Sequence, residues 1–392
     1  MTDANMGVMM YMSAQNNLRE FGDQNVTDVI AGTQASTQPG SVCAFILLDS
    51  YQPDGKPKTY QILHPPKFGA ADFAKQDVVV RGIRIENKDV HTIGAFNNMV
   101  SLANSHFEGF HPKQKMLIFW GHGGGLQMLD EGQNEAKINI VEIGVVLKEW
   151  AKAEGEPLRF DTIAFDACYM CMIETMHHLR GVTDIALCSS TTVDSAGFPY
   201  DGMFQYFGSD TANATTQQVA AKCADLYNAR YEDEEDHSLF ICDMSKVDAC
   251  IRKQNSVGKL LLDAFTSAGD RKLFHQQVGL ALSSSHVFHG YANVLYLLRM
   301  LSTYLADANL APARMDAINT ELADFAAAVR ACFKGKMGDD TDNPVSPQIW
   351  APTSRSIFDK HSKIYNKLDA SLGGYGGWVS FWRKYYEFAD NA

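Results

Sequence analysis

Residues 116–125 read MLIFWGHGGG, and residues 162–170 read TIAFDACYM. Each begins as a short apolar run of the kind that forms a buried strand. Each then ends on a chemically distinctive residue: His122 among Gly121, Gly123, Gly124 and Gly125 in the first, Cys168 after Asp166 and Ala167 in the second. Function in parallel α/β sheets gathers beyond the carboxyl ends of strands, so both residues stand where chemistry is expected. The surrounding pattern predicts strands over 116–120 and 162–166, a helix over about 140–153 and another over about 170–180.

The same alternation runs outward in both directions. VMMYM near residue 8, VCAFILL at 42–48, TYQIL at 59–63 and IALCSS at 185–190 read as strands, with a polar helix from about Asn16 and another over 93–106. Strands separated by single helices predict an α/β fold, a doubly wound and mostly parallel sheet flanked by helices. YQPDGKPK, 51–58, reads as a hairpin adding antiparallel strands at a sheet edge. After about residue 210 helices dominate, with one strand-like run at 238–243, amphipathic stretches over 245–266 and 312–332, and a loop by composition at 335–348. Two domains are expected, 1–244 carrying the sheet and a mainly helical 245–392.

At 392 residues, 46% hydrophobic and 20% charged, the chain has the composition of a folded globular protein, which excludes disordered, collagenous and coiled-coil classes. A net charge of −12 without any basic run argues against nucleic acid or anionic membrane as partner and favours a basic partner or substrate. The amino terminus has no charged segment followed by an apolar one, and no run of about 18 apolar residues occurs. As given, the chain reads as cytoplasmic, or as secreted or periplasmic if a leader has been removed. The eight cysteines are scattered, mostly inside apolar runs, and read as reduced buried thiols; the one C-x-x-C, Cys168 to Cys171, falls short of a zinc pattern, so no structural metal is expected.

A cysteine peptidase needs a thiolate nucleophile, an imidazole to protonate the departing amine, and N–H groups aimed at the developing oxyanion. The two strand ends offer Cys168, His122 and the N–H groups of Gly123 and Cys168. A helix opening directly after Cys168 would lower its pKa. Glycine beside the histidine would leave the substrate carbonyl an open approach to the Gly123 N–H.

The order strand, His-Gly, strand, Asp-Ala-Cys resembles the signature of caspase-like peptidases, among them caspases, legumains, gingipains, separases and clostripains. YMSAQNNLREFG (11–22), FDACYM (165–170), SSTTVDSAGFPYDGMF (189–204), SLFICDMSKV (238–247) and SPQIWAPTSRSIF (346–358) are similar to segments of the clostripain family. That resemblance implies a cysteine endopeptidase with a caspase-like sheet, Cys168 as nucleophile and His122 as its partner. It further implies cleavage after Arg or Lys, with Asp166 and then Asp194 receiving the cation and Asp201 a weaker third, and self-cleavage after Lys137, which ends DEGQNEAK (130–137). Calcium is left open: some members depend on it, but no D-x-[DN]-x-[DN]-G loop is present. Tyr169, Cys171 and a short, weakly acidic VDSAGFPY depart from the family pattern, which bears on substrate preference.

Other readings compete. C-x-x-C after a strand suits a thiol-disulfide redox protein, but leaves GHGGG unexplained. GHGGG resembles the oxyanion segment of lipases, yet the chain lacks their G-x-S-x-G turn and also lacks a phosphate-binding G-x-x-x-x-G-K-[ST]. A caspase-like fold can also serve as a latent or non-catalytic binding module. Asp166 alternatively caps a helix or bonds a buried backbone group, and His177 and His178 receive no role.

Overall fold

The computed structural model describes residues 4–38, 41–51, 57–62, 80–81, 93–128, 138–153, 158–209, 211, 213–233, 237, 239–285, 287–288, 290–337, 345–362 and 376–389. The chain divides into two compact units, one of Met1–Cys171 and His178–Met244, the other of Met172–His177 and Ser245–Ala392.

The first unit is built on a sheet whose strands are β1 (Met6–Ser13), β2 (Val42–Tyr51), β3 (Pro57–Ile62), β4 (Val80–Arg81), β5 (Gln114–Trp120), β9 (Thr162–Asp166), β10 (Ile185–Cys188) and β11 (Phe240–Asp243). Three two-residue strands, β6 (Gly123–Gly124), β7 (Gln127–Met128) and β8 (Ile138–Asn139), form a separate ladder. The order across the large sheet is β11-β10-β9-β5-β1-β2-β3-β4. Neighbours from β2 through β10 run parallel, and the flanking β3, β4 and β11 are antiparallel. The hairpin expected at 51–58 is the β2–β3 pair, in which Tyr51 faces Pro57; residues 52–56 lie outside the described set.

Every residue of β1 is buried, as its unbroken apolar sequence requires of a strand covered on both faces. Met6, Val8, Met10 and Met12 point into one core with Val29 of α1 (Arg19–Ala35), Phe204 and Phe207 of α5 (Tyr200–Phe207), and Val219 and Tyr227 of α6 (Thr216–Arg230). Tyr11 turns to the other face and meets Phe96 of α2 (Ile93–Glu108) edge-on at 5.4 Å, beside the stacked rings of Phe119 and Phe165. Helices α1 and α5 approach closely because residue 32 is glycine: a Cβ there would lie 2.2 Å from the Asp201 carbonyl oxygen.

Helix α3 (Ile140–Trp150) completes this unit, and α4 (Ile173–Leu179) begins within the stretch Met172–His177 that belongs to the second. Helix α4 opens at Ile173 rather than near residue 170, because Tyr169 takes a left-handed φ of 56° and turns the chain out of helical geometry just after Cys168. The chain lays β2 on one side of β1 and then returns to lay β5, β9 and β10 on the other. Strand order therefore reverses between β1 and β5, and the carboxyl ends there form the crevice that such sheets use for ligands.

The second unit contains α7 (Val247–Ser267), α8 (Arg271–Ser284), α9 (Val294–Leu305), α10 (Pro312–Cys332) and α11 (Gly376–Ala389). A small sheet joins β12 (Val287–Phe288), β13 (Tyr291–Asn293) and β14 (Gln348–Trp350), so the stretch read as loop to residue 348 already enters a strand at its last residue; 338–344 lie outside the described set. Glu174, at the start of α4, belongs to this unit and accepts hydrogen bonds at Oε1 from Gln254 Nε2 (2.8 Å) and Trp350 N (3.2 Å).

Candidate active site

Register brings the two strand ends level. Met116 faces Thr162 and the pairing runs to Trp120 facing Asp166, so His122 and Cys168 each follow two residues beyond the last pair. Adjacent strands lie about 4.8 Å apart. The two segments continue side by side past the sheet: Gly121 N donates to Asp166 O (3.2 Å) and Gly125 N to Tyr169 O (3.1 Å). Between these bonds sits Gly123, where a Cβ would lie 2.4 Å from Cys168 O and 3.1 Å from Cys168 N. Glycine at this position lets the histidine segment lie directly on the Cys168 backbone.

None of the eight cysteines is in a disulfide, and seven are buried; Cys168 is the one partly exposed. Its Sγ accepts the Val193 N–H at 3.3 Å. Burial pushes the thiol above its usual pKa, the Val193 N–H draws it back, and the Asp166 carboxyl pushes it up again. The expected lowering by a helix terminus is absent because α4 starts only at Ile173. Tyr169 is instead held from both sides, its N–H donating to Thr191 O (2.9 Å) and its carbonyl accepting from Gly125, which fixes the turn that presents Cys168. Cys171 is buried, with its N–H on Ser189 O at 2.9 Å.

His122 is partly buried, and its Nε2 lies 2.7 Å from Oδ1 of Asn17. Asp166 is buried at the end of β9, where Oδ2 accepts both Phe198 N–H (3.0 Å) and Tyr200 O–H (2.6 Å). Burial raises its carboxyl to about 7 against the lowering effect of those two bonds. Asp194 is exposed and shapes the same loop: its Oδ1 accepts Ala196 N–H (2.7 Å) and its carbonyl accepts Gly197 N–H (2.8 Å). Asp201 is exposed in the first turn of α5. Lys137 lies outside the described residues.

Three residues that sequence reasoning passed over also hold the 191–200 loop. Asn25 donates through Nδ2 to Ala196 O (2.9 Å) while its Oδ1 accepts from Trp120 Nε1 (2.7 Å), and Tyr231 donates to Gly197 O (2.6 Å). Tyr200 is the third, through Asp166. Asn25 carried a signal, since it falls with Gly22, Val29 and Gly32 on the buried stripe of α1; the tyrosines carried none. Among the described residues no group of three or more His, Cys, Asp or Glu is placed to hold a metal ion, and no helix is long and apolar enough to cross a membrane.

Level strand ends bearing histidine and cysteine on a doubly wound sheet mark the caspase-like class of fold. The chain belongs to the clostripain family, whose sequence profile matches residues 10–374. No curated protein sequence matches it. Among solved structures, an inactive zymogen C11 protease from Parabacteroides distasonis is 16% identical and aligns over 95% of this chain and 99% of its own, with a TM-score of 0.63. A secreted C11 cysteine protease from Bacteroides thetaiotaomicron, solved with an irreversible peptide inhibitor, is 15% identical over 94% and 99% of the two chains, also at 0.63. The fold is theirs, and the family makes the chain a cysteine protease acting on peptides.

Proposed function

We propose that the chain is an endopeptidase that cleaves after Arg or Lys, with Cys168 as nucleophile and His122 as proton carrier. The observation that carries the specificity is the buried carboxyl of Asp166, two residues before the nucleophile and bonded to the 191–200 loop. Among the described residues only its Oδ2 is engaged, which leaves Oδ1 for a substrate cation. A guanidinium or ammonium reaching that carboxyl forms a charge-assisted pair away from bulk water, a geometry that discriminates strongly against neutral side chains. Asp194 on the same loop adds a second negative charge.

Burial raises the Cys168 thiol above its usual pKa. Its proton passes to His122 as sulfur attacks the carbonyl, and the oxyanion is held by the N–H groups of Gly123 and Cys168. The C–N bond breaks as His122 hands the proton to the amine. Water, losing a proton to His122, then attacks the thioester, the C–S bond breaks and the proton returns to sulfur.

Hydrolysis of fluorogenic peptides carrying Arg, Lys, Asp, Asn or Leu before the scissile bond tests the reading. Arg and Lys peptides should be cleaved at least tenfold faster than the rest, and Asp166→Asn and Asp194→Asn should erode that preference. Asp166 loses its proton only near pH 7, so KM for the cationic peptides should rise as pH falls from 8 to 6. Preference for Asp, Asn or Leu, or a KM indifferent to both carboxylates, would reject the basic pocket.

A further inference from the structure

We propose that Asn17 is a positioning residue of this site: its side-chain oxygen fixes the His122 ring with a proton on Nε2 and so commits Nδ1 to the proton transfers of the reaction. The inference rests on the role given above to His122.

The topology puts Asn17 where such a residue must stand. Strand β1 lies beside β5 on the side away from β9, with Met12 facing Trp120, so the ends of β1, β5 and β9 form a row bearing Asn17, His122 and Cys168. The histidine is carried by the middle strand of the three. Its Nε2 lies 2.7 Å from Asn17 Oδ1, well within hydrogen-bonding distance. An amide oxygen only accepts, so Nε2 carries a proton whether the ring is neutral or charged, and the lone pair of the neutral ring sits on Nδ1.

The backbone around His122 is glycine-rich. Gly121 has a φ of 141° and Gly125 one of 76°, and Gly123 and Gly124 complete a stretch without side chains to wedge the imidazole in place. Glycine permits the close approach to Cys168 but does nothing to orient the ring between them. Asn17 itself is carried on a fixed turn. Asn16 Oδ1 accepts the Leu18 N–H (2.9 Å), Arg19 N donates to Asn16 O (3.4 Å), and Gly22 N donates to Leu18 O (3.0 Å), tying the end of β1 to the first turn of α1.

In the acylation step Nδ1 takes the Sγ proton and gives it to the amine nitrogen as the C–N bond breaks. During deacylation it takes a proton from water and returns it to Sγ as the C–S bond breaks. Asn17 exchanges no proton in either step; it holds the ring so that one nitrogen serves both.

The test measures kcat and KM on an Arg-containing fluorogenic peptide from pH 5 to 10 for wild type, His122→Ala, Asn17→Ala and Asn17→Asp, with thermal unfolding of each. Asn17→Ala should lose roughly 10–100-fold in kcat with KM changed by less than about threefold. Asn17→Asp should recover most of that loss, and its carboxylate beside the ring should move the His122-dependent limb of the profile upward by roughly one pH unit. A residue that merely supported the loop would show neither the rescue nor the shift. If His122→Ala is inactive while Asn17→Ala keeps the wild-type kcat at every pH, or if Asn17→Asp is no better than Asn17→Ala and leaves the profile unmoved, the proposal is overturned. If His122→Ala keeps the wild-type rate, the reading of His122 itself falls.

Discussion

Gly123 is where the histidine and cysteine segments meet most tightly. An added methyl group would be driven into the Cys168 carbonyl 2.4 Å away, and that carbonyl belongs to the turn that also presents the thiol. Displacing a reacting group by about 1 Å costs on the order of a hundredfold in rate. Gly123→Ala should therefore lower kcat/KM by about a hundredfold or more in a protein that still folds, read by peptide hydrolysis alongside circular dichroism. Hydrolysis within a fewfold of wild type would show that the fit is looser than described. His122 and Cys168 were legible in the sequence because each ends an apolar strand with an unmistakable residue. Asn17 and Tyr231 were not, since their partners lie 105 and 34 residues away in the chain and only the folded structure brings them near. The thiol pKa was misread for a local reason: the left-handed Tyr169 postpones the helix, and no propensity argument foretells that a tyrosine will adopt that conformation.

At the scale of elements, the small β6–β7–β8 ladder connects the histidine to the proposed processing site. Met128 pairs with Ile138 and Gln127 with Asn139, while Gly123 pairs with Met128. A cut after Lys137 would leave its new amino terminus at Ile138, paired to β7, whose Met128 pairs in turn with Gly123 of β6. Self-cleavage there should give two chains on a denaturing gel that elute together in native buffer, and Lys137→Ala should give a single chain. A Lys137→Ala protein cut at the same junction would refute the assignment. Elements with clear period were read well from sequence, as with α2, α7 and α10, whose apolar faces recur at helical spacing. Two-residue strands such as β6 escape that kind of reading, because periodicity needs length to show.

Over the whole molecule, the buried carboxyl of Glu174 links stability to pH. Burial raises it to about 7, partly countered by the bonds from Trp350 and Gln254, and its Oε2 has no partner among the described residues. In the unfolded chain it ionises near its ordinary value of about 4.3. Between those limits the folded state binds more protons than the unfolded one, so stability falls as pH rises from about 4.5 to 7 and is lowest above that range. Glu174→Gln should remove its share of the slope, making the protein more stable than wild type above pH 7 by on the order of 1–3 kcal/mol, as followed by thermal midpoint against pH. Parallel curves for the two proteins would contradict the assignment. The alternation of strands and helices announced the doubly wound sheet, but the reversal between β1 and β5 is set by which strand edges pair, and no local pattern encodes that choice.

The central claim is that Cys168 is the nucleophile of a site that receives a basic residue. Its most direct test is to treat the protein with an irreversible peptide inhibitor ending in Arg, and with the matching inhibitor ending in Asp, then locate the adduct by mass spectrometry of the digest. One adduct on Cys168 is expected from the Arg compound, none from the Asp compound at equal exposure, and none in Cys168→Ala. An adduct on another cysteine, or no adduct on a folded protein, would contradict it.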